Sequence, residues 1–189
     1  MRLGLLVVLL TLPWSPGLPA FEETDFGTRS TGMGRSCCAL PGQCQAILLN
    51  PAGLALMASP ECGAFYTRFY SMGELAHSNI WYGHPTSFGT PALFLSSFGR
   101  DPYQEFLFLF GYAYPLGRIS IGGNLKLMRV QISDYGSCNS LGADLGLLGE
   151  ISEGLNVGVS VQNLNNPKLA GDDLPSALVG GLAISPAQG

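Results

Sequence analysis

From Gly63 onward the chain alternates with a period of two and keeps that period almost to its end. The clearest run is 155–162, where Leu155, Val157, Val159 and Val161 alternate with Asn156, Gly158, Ser160 and Gln162. Residues 141–147 repeat the pattern, with Leu141, Ala143, Leu145 and Leu147 set against Gly142, Asp144 and Gly146. A side-chain period of two belongs to strands, because successive Cβ atoms point to opposite faces. Segments 63–70, 75–82, 91–98, 105–114, 119–131, 141–150, 155–162 and 177–184 read as eight successive strands. Turns separate them, so the pattern predicts an antiparallel meander and an all-β fold.

The two sides of these strands are unusual. Phe106, Phe108, Phe110, Tyr112 and Tyr114 share one side of the fourth strand. A half-buried strand in a soluble protein also alternates, but its polar side usually carries charge. Here the polar sides carry Ser, Gly, Asn and Gln, and glycine at such positions suits a crowded or ligand-facing interior. Charged residues make up 12% of the chain, against about 25% in an ordinary soluble domain. Nine Lys and Arg form no basic patch, which excludes nucleic acid as a partner. An apolar content of 47% excludes disorder.

Connections sharpen the reading. Segments 115–118 and 152–154 look like tight turns, whereas 132–140 and 164–175 look long and polar. Outer-membrane barrels alternate short and long connections in this way. Tyr112 and Tyr114 fall beside a short turn, where an interfacial aromatic girdle would sit. The expectation is an antiparallel up-and-down transmembrane β-barrel in outer-membrane lipid, partial, with about eight strands. Val157, Val159, Leu145 and Ile121 then face lipid, and Asn124, Lys126, Asp144, Ser160 and Gln162 face the lumen. Arg at Val159 is expected to cost far more than Arg at Ser160. The alternative is a secreted soluble β-domain that binds a ligand.

Residues 1–20 read as a signal peptide: Arg2, an apolar run from Leu3 to Leu12, then Pro13, Pro16, Gly17 and Pro19. The run is too short for a spanning helix, which needs about 20 apolar residues. Residues 21–59 are mixed, with short helical turns at 46–49 and 52–57. Asn50-Pro51 ends the first turn, since the residue before Pro avoids helix. Residues 60–189 carry the strands.

No catalytic signature occurs, and nothing implies a cofactor or a metal. His77 and His84 stand alone, and Asp172-Asp173 reads as a solvated loop tip. Of the five Cys, Cys38 and Cys44 flank a Pro-Gly turn and Cys62 opens the first strand. A local disulfide or free thiols both fit an exported chain; adjacent Cys37-Cys38 is not a zinc spacing. Lys126 and Asp144 meet when the hairpin folds about Tyr135, directly or diagonally. They read as a charge-neutralising lumen pair or as a site for a substrate headgroup.

Two stretches carry a family resemblance. Phe26-Gly27, Gly32-Met33-Gly34 and Asn50-Pro51-Ala52-Gly53-Leu54-Ala55 resemble the N-terminal region of the long-chain fatty-acid outer-membrane transporter superfamily (FadL-like). Gly122-Gly123-Asn124-Leu125-Lys126, then 141–148, 158–164, Pro167-Lys168 and Leu174-Pro175 resemble its PorV/PorQ branch. The resemblance implies an N-terminal hatch folded inside a barrel, with Gly32, Gly34, Asn50, Pro51, Ala52 and Gly53 as its motif. It implies passive transport of hydrophobic compounds, or an accessory role in type IX-like secretion with secreted cargo as partner. The chain departs from the pattern at 36–44, where relatives carry small residues with paired Asp.

An eight-stranded barrel has room inside for its own side chains or one small ligand, not for a hatch. The resemblance implies about fourteen strands, within the range known for such barrels. The final residues 185–189 carry no terminal strand or aromatic. The expectation is a fragment whose first and eighth strands are open edges.

Overall fold

A computed structural model describes residues 6–13, 20–21 and 28–185. The chain forms one antiparallel sheet of nine strands and a two-stranded ribbon. The strands are β1 (Leu6–Pro13), β2 (Glu61–Arg68), β3 (Ala76–Gly83), β4 (Thr90–Arg100), β5 (Tyr103–Leu116), β6 (Ile119–Ile132), β7 (Gly136–Ser152), β8 (Leu155–Gln162), β9 (Lys168–Leu169), β10 (Asp172–Asp173) and β11 (Ala177–Ile184). The sheet order is β1-β11-β8-β7-β6-β5-β4-β3-β2, a meander from β2 to β11, with β9 and β10 as the ribbon between β8 and β11. The all-β class and each of the eight expected strands are present.

Two features differ from the sequence reading. First, the expected long loop at 132–140 is strand: Ile132 pairs with Gly136, and only 133–135 turns. Asp134 and Gly136 make this reversal with φ of 67° and 99°. Residues 136–139 are exposed on both faces, as a hairpin tip beyond the sheet body must be, so alternation there carries no apolar signal. Among the connections in the second half, only 163–176 is long. Second, the edge of β11 is not open. Leu6–Pro13, within the segment read as a signal peptide, pairs along its whole length with it, from Leu6↔Ile184 to Pro13↔Ala177. An apolar run without helix-specific signals satisfies a bare edge as readily as any strand. The rest of that segment lies outside the described residues except Ala20, as do Phe26-Gly27 and the final residues 186–189. Of the two states left open for the cysteines the structure has the free thiols, at Cys37, Cys38, Cys44, Cys62 and Cys138.

The two faces separate cleanly. On β5, Leu107, Leu109 and Ala113 are buried while Phe106, Phe108, Phe110, Tyr112 and Tyr114 are exposed. On β7, Leu145 and Leu147 are exposed and Asp144 and Leu148 buried. The inner face packs on residues 37–57, which form two 3-10 helices, Cys44–Leu48 and Pro51–Leu56. Ile47, Leu54 and Met57 from that segment join Phe94, Leu107, Leu109, Met128 and Val130 in the main core. A smaller core joins Leu40 and Ala52 to Leu148 and Ala183.

Candidate functional site

Glycine decides how closely the N-terminal segment approaches the sheet. A Cβ on Gly122 would lie 2.4 Å from the Pro51 carbonyl carbon and 2.5 Å from the Ala52 nitrogen. One on Gly146 would lie 2.0 Å from Asn50 Oδ1, and one on Gly158 2.2 Å from the Cys38 oxygen. Gly122 pairs directly with Gly146, and Gly158 with Gly181. Two glycine pairs on neighbouring strands thus make a trough floor on which backbone rests against backbone. Residues 38–39 and 50–52 fill it, so the inner glycines mark a crowded interior, one of the two sequence readings of them.

Asn50 fixes the segment in the trough. It is 1% exposed, and its Nδ2 donates to the Cys38 oxygen at 2.8 Å and the Leu147 oxygen at 2.9 Å. Its Oδ1 accepts from the Ala52 nitrogen at 3.2 Å, capping the helix that Pro51 opens. Pro at this first helical position lacks only an N–H that the helix would not use. Ala52 is fully buried. Gly53 has no room for a Cβ, which would meet the Ala46 Cβ at 2.8 Å. Asn50, Pro51, Ala52 and Gly53 therefore act together. Gly32 and Gly34 do not join them: a Cβ on either meets nothing within 4 Å, and Gly34 serves a turn with φ +60°.

Beside the trough, three of the expected lumen residues, Asn124, Lys126 and Asp144, assemble into one polar cluster. Asn124 sits directly opposite Asp144, and Lys126 opposite Gly142, so Lys126 meets Asp144 diagonally. Lys126 Nζ lies 2.7 Å from Asp144 Oδ1, with side chains only 12% and 4% exposed. The same Oδ1 accepts from the Asn163 nitrogen at 2.9 Å. Oδ2 accepts from Asn124 Nδ2 at 3.1 Å, and that amide also donates to the Ile47 oxygen. Gln162 Nε2 donates to the Leu48 oxygen at 3.1 Å. Ser160 is buried and donates to the Leu145 oxygen at 3.3 Å. A buried carboxylate is tolerated when it is paired and hydrogen-bonded, and Asp144 has a cation and two hydrogen-bond donors on its two oxygens.

A cavity of about 310 Å³ opens next to this cluster. Leu48, Leu49, Leu107, Leu109 and Met128 form its apolar wall, and Lys126, Asp144 and Gln162 its polar end. Its size falls at the lower limit of small-molecule pockets. The segment 163–176 closes one side, with Leu169 and Leu174 buried in the core that holds Ile47. This lid escaped the sequence reading, which took 164–175 for a polar external loop. The only signal was Leu169 and Leu174, two of three leucines among eight polar or turn-forming residues.

Other expected sites stay apart. His77 Nε2 pairs with Ser96 Oγ at 2.8 Å within the core, and His84 Nδ1 with the Tyr82 hydroxyl at 2.9 Å. Among the described residues no three His, Cys, Asp or Glu gather to hold a metal. Asp173 pairs with Lys168 at 3.3 Å at an exposed tip. Burial raises the Cys38 thiol to about 11 and, with the Glu61 charge, the Cys44 thiol to about 12. These thiols stay protonated and inert at neutral pH.

No family model, no curated protein and no solved structure matches the chain.

Proposed function

We propose that this chain is an outer-membrane strand protein of the FadL/PorV type that lets hydrophobic compounds pass a plugged interior. The observation that carries this reading is the outer face. From β4 to β11 it presents Leu93, Leu95, five of the six aromatics of β5 (Phe106 to Tyr114), Ile121, Leu125, Leu127, Leu141, Leu145, Leu147, Val159, Leu178 and Leu182, all exposed. Monomeric soluble proteins rarely expose contiguous apolar patches beyond about 300–600 Å², and hydrocarbon is the solvent that fits such a face. Strands of 8–17 residues over this region suit a span of about 9–11 residues. The absence of a long apolar helix among the described residues leaves a strand-based crossing open. Inside, the trough segment is the plug, and the mixed cavity beside Lys126 is the place a passenger rests. The order of motifs shared with the PorV/PorQ branch supports the same reading.

Fractionation of cells expressing the full chain tests it. The protein should stay with the outer membrane through carbonate extraction and migrate differently in gels before and after heating. Membranes holding it should take up a hydrophobic fluorophore faster than controls. A protein recovered in the soluble fraction would instead favour the secreted ligand-binding domain. A second reading, an accessory of secretion that docks cargo, draws on the projecting 131–139 tip, where Tyr135 is 89% exposed. A pull-down that loses its partner with Tyr135→Ser would favour it.

A further inference from the structure

Asp144 lines the cavity, holds the root of the lid, and reaches the plug through Asn124. Its Oδ2 holds Asn124, whose amide also grips the Ile47 oxygen of the plug. Its Oδ1 holds Lys126 at the cavity and the Asn163 nitrogen at the root of the lid. The next residue back, Gln162, grips the plug again at the Leu48 oxygen. The lid is closed on itself at the same root. Asn163 Nδ2 donates to the Pro175 oxygen at 2.8 Å, and Ser176 Oγ donates to the Asn163 oxygen at 2.9 Å. Lid and plug also share one apolar cluster through Leu169, Leu174 and Ile47. A buried carboxylate cannot give up one donor cheaply, because the remaining lone pair is then left without a partner. Movement of either arm is therefore felt by the other.

We propose that Asp144 couples the 163–176 lid to the plug, so that lifting the lid unlatches residues 44–50 and loosening the plug frees the lid. This rests on residues 37–57 acting as a plug, but not on what the plug lets through. Coupling of this kind is reciprocal, and that reciprocity is the test.

The full chain in its membrane or detergent is labelled with a maleimide, and modification of Cys44 is followed peptide by peptide. Asn163→Gly with Ser176→Ala loosens the lid root without touching the plug; Gly suits the Asn163 φ of 54°. Cys44 labelling should rise by up to about tenfold, the factor for the two neutral hydrogen bonds lost at the lid root. In an Asp144→Asn background the same lid change should add nothing, since the connection is already cut. Conversely, Asn124→Ala severs only the plug arm and should speed amide exchange in 163–176. Should Asp144→Asn fail to fold, Asn124→Ala alone decides. Equal rises in both backgrounds, or unchanged exchange in the lid of Asn124→Ala, overturn the coupling. Both readouts concern the folded chain and stand apart from uptake. A failure of hydrophobic transport would leave them unchanged, and a failure of coupling would leave uptake unchanged.

Discussion

Gly122 and Gly123 are neighbours in β6 yet live in different worlds. A Cβ on Gly122 would strike plug backbone at 2.4–2.6 Å, whereas one on Gly123 meets only the Asp144 oxygen at 3.4 Å and Leu145 at 3.5 Å. The same contrast holds where the backbone of residues 38–52 crosses β6, β7 and β8 at Gly122, Gly146 and Gly158. There the inner face is small because another piece of chain lies on it. The outer face beside it, with Leu145, Leu147 and Val159, is large, apolar and exposed. Bulk is thus excluded from one side and unrestricted on the other, and polarity follows the reverse rule. A strand period of two is the simplest code that satisfies both demands in one stretch of sequence.

The largest effect should come from adding one methyl group to the crowded side. Gly122→Ala forces the Pro51-Ala52 backbone to move, and backbone cannot rotate out of the way as a side-chain tip can. Overpacking of this kind costs about 1–3 kcal/mol and occasionally more, and with backbone atoms at 2.4, 2.5 and 2.6 Å this site should lie above that range. Gly123→Ala should be neutral or stabilising by about 0.4–1 kcal/mol, because it only restricts the unfolded chain. Urea midpoints of the two variants in one detergent measure the difference. Equal midpoints would break the comparison of faces.

Charge on the apolar side should come next. Val159 is 41% exposed, so Val159→Arg should cost little in water but about 2–4 kcal/mol near the centre of a bilayer. Refolding the variant into vesicles and into detergent-free buffer separates the two environments. A variant that inserts into vesicles as well as the parent would remove lipid from the outer face. The sequence reading also expected Arg at Ser160 to be cheap. The structure revises that, because Ser160 is 1% exposed and faces a filled trough instead of a water-filled lumen. Ser160→Arg should therefore be damaging in buffer and in vesicles alike, whereas Val159→Arg is damaging only in vesicles.

How far the sequence could be read follows from the same contrast. Strand positions and faces were legible because burial on one side enforces alternation; β8 and β11 match the expected 155–162 and 177–184. That Lys126 and Asp144 meet, directly or diagonally, was legible because the two strands fold about one turn; the diagonal register comes from the structure. What the inner glycines face was not, since alternation places a glycine inward without saying what rests on it. Gly122, Gly146 and Gly158 do sit at inward positions of three successive strands, which is the signal that a backbone is expected there. The 132–140 hairpin was missed because a strand tip wetted on both faces has no period. The lid was missed because two buried leucines among turn residues set no pattern. The partner of β11 was missed because Leu6–Pro13 is apolar throughout, a composition that serves a targeting segment and an edge strand alike.

The smallest effect concerns the thiols, and it sets the two regions side by side in one experiment. Cys62 and Cys138 are exposed, whereas Cys38 and Cys44 are buried against the sheet. The Cys38 sulfur donates to the Val179 oxygen at 3.6 Å, and the Cys44 nitrogen to Glu61 Oε2 at 3.1 Å. At pH 8 an alkylating reagent should modify Cys62 and Cys138 at once and leave Cys38 and Cys44 intact until the chain unfolds. Burial has raised both buried thiols above their ordinary value of 9.0, to about 11 and about 12. The sign of the linkage follows. An unfolded thiol ionises first, so the preference for the neutral form is fully present below pH 9 and is lost as pH rises through 11 to 12. The plug should therefore loosen over that window while the sheet, held by its ladder of backbone hydrogen bonds, stays formed. Circular dichroism should keep its strand signal while Cys38 and Cys44 become reactive. Modification of Cys44 at pH 8 at the rate of Cys138 would show that the trough is open and that its glycines serve some other neighbour.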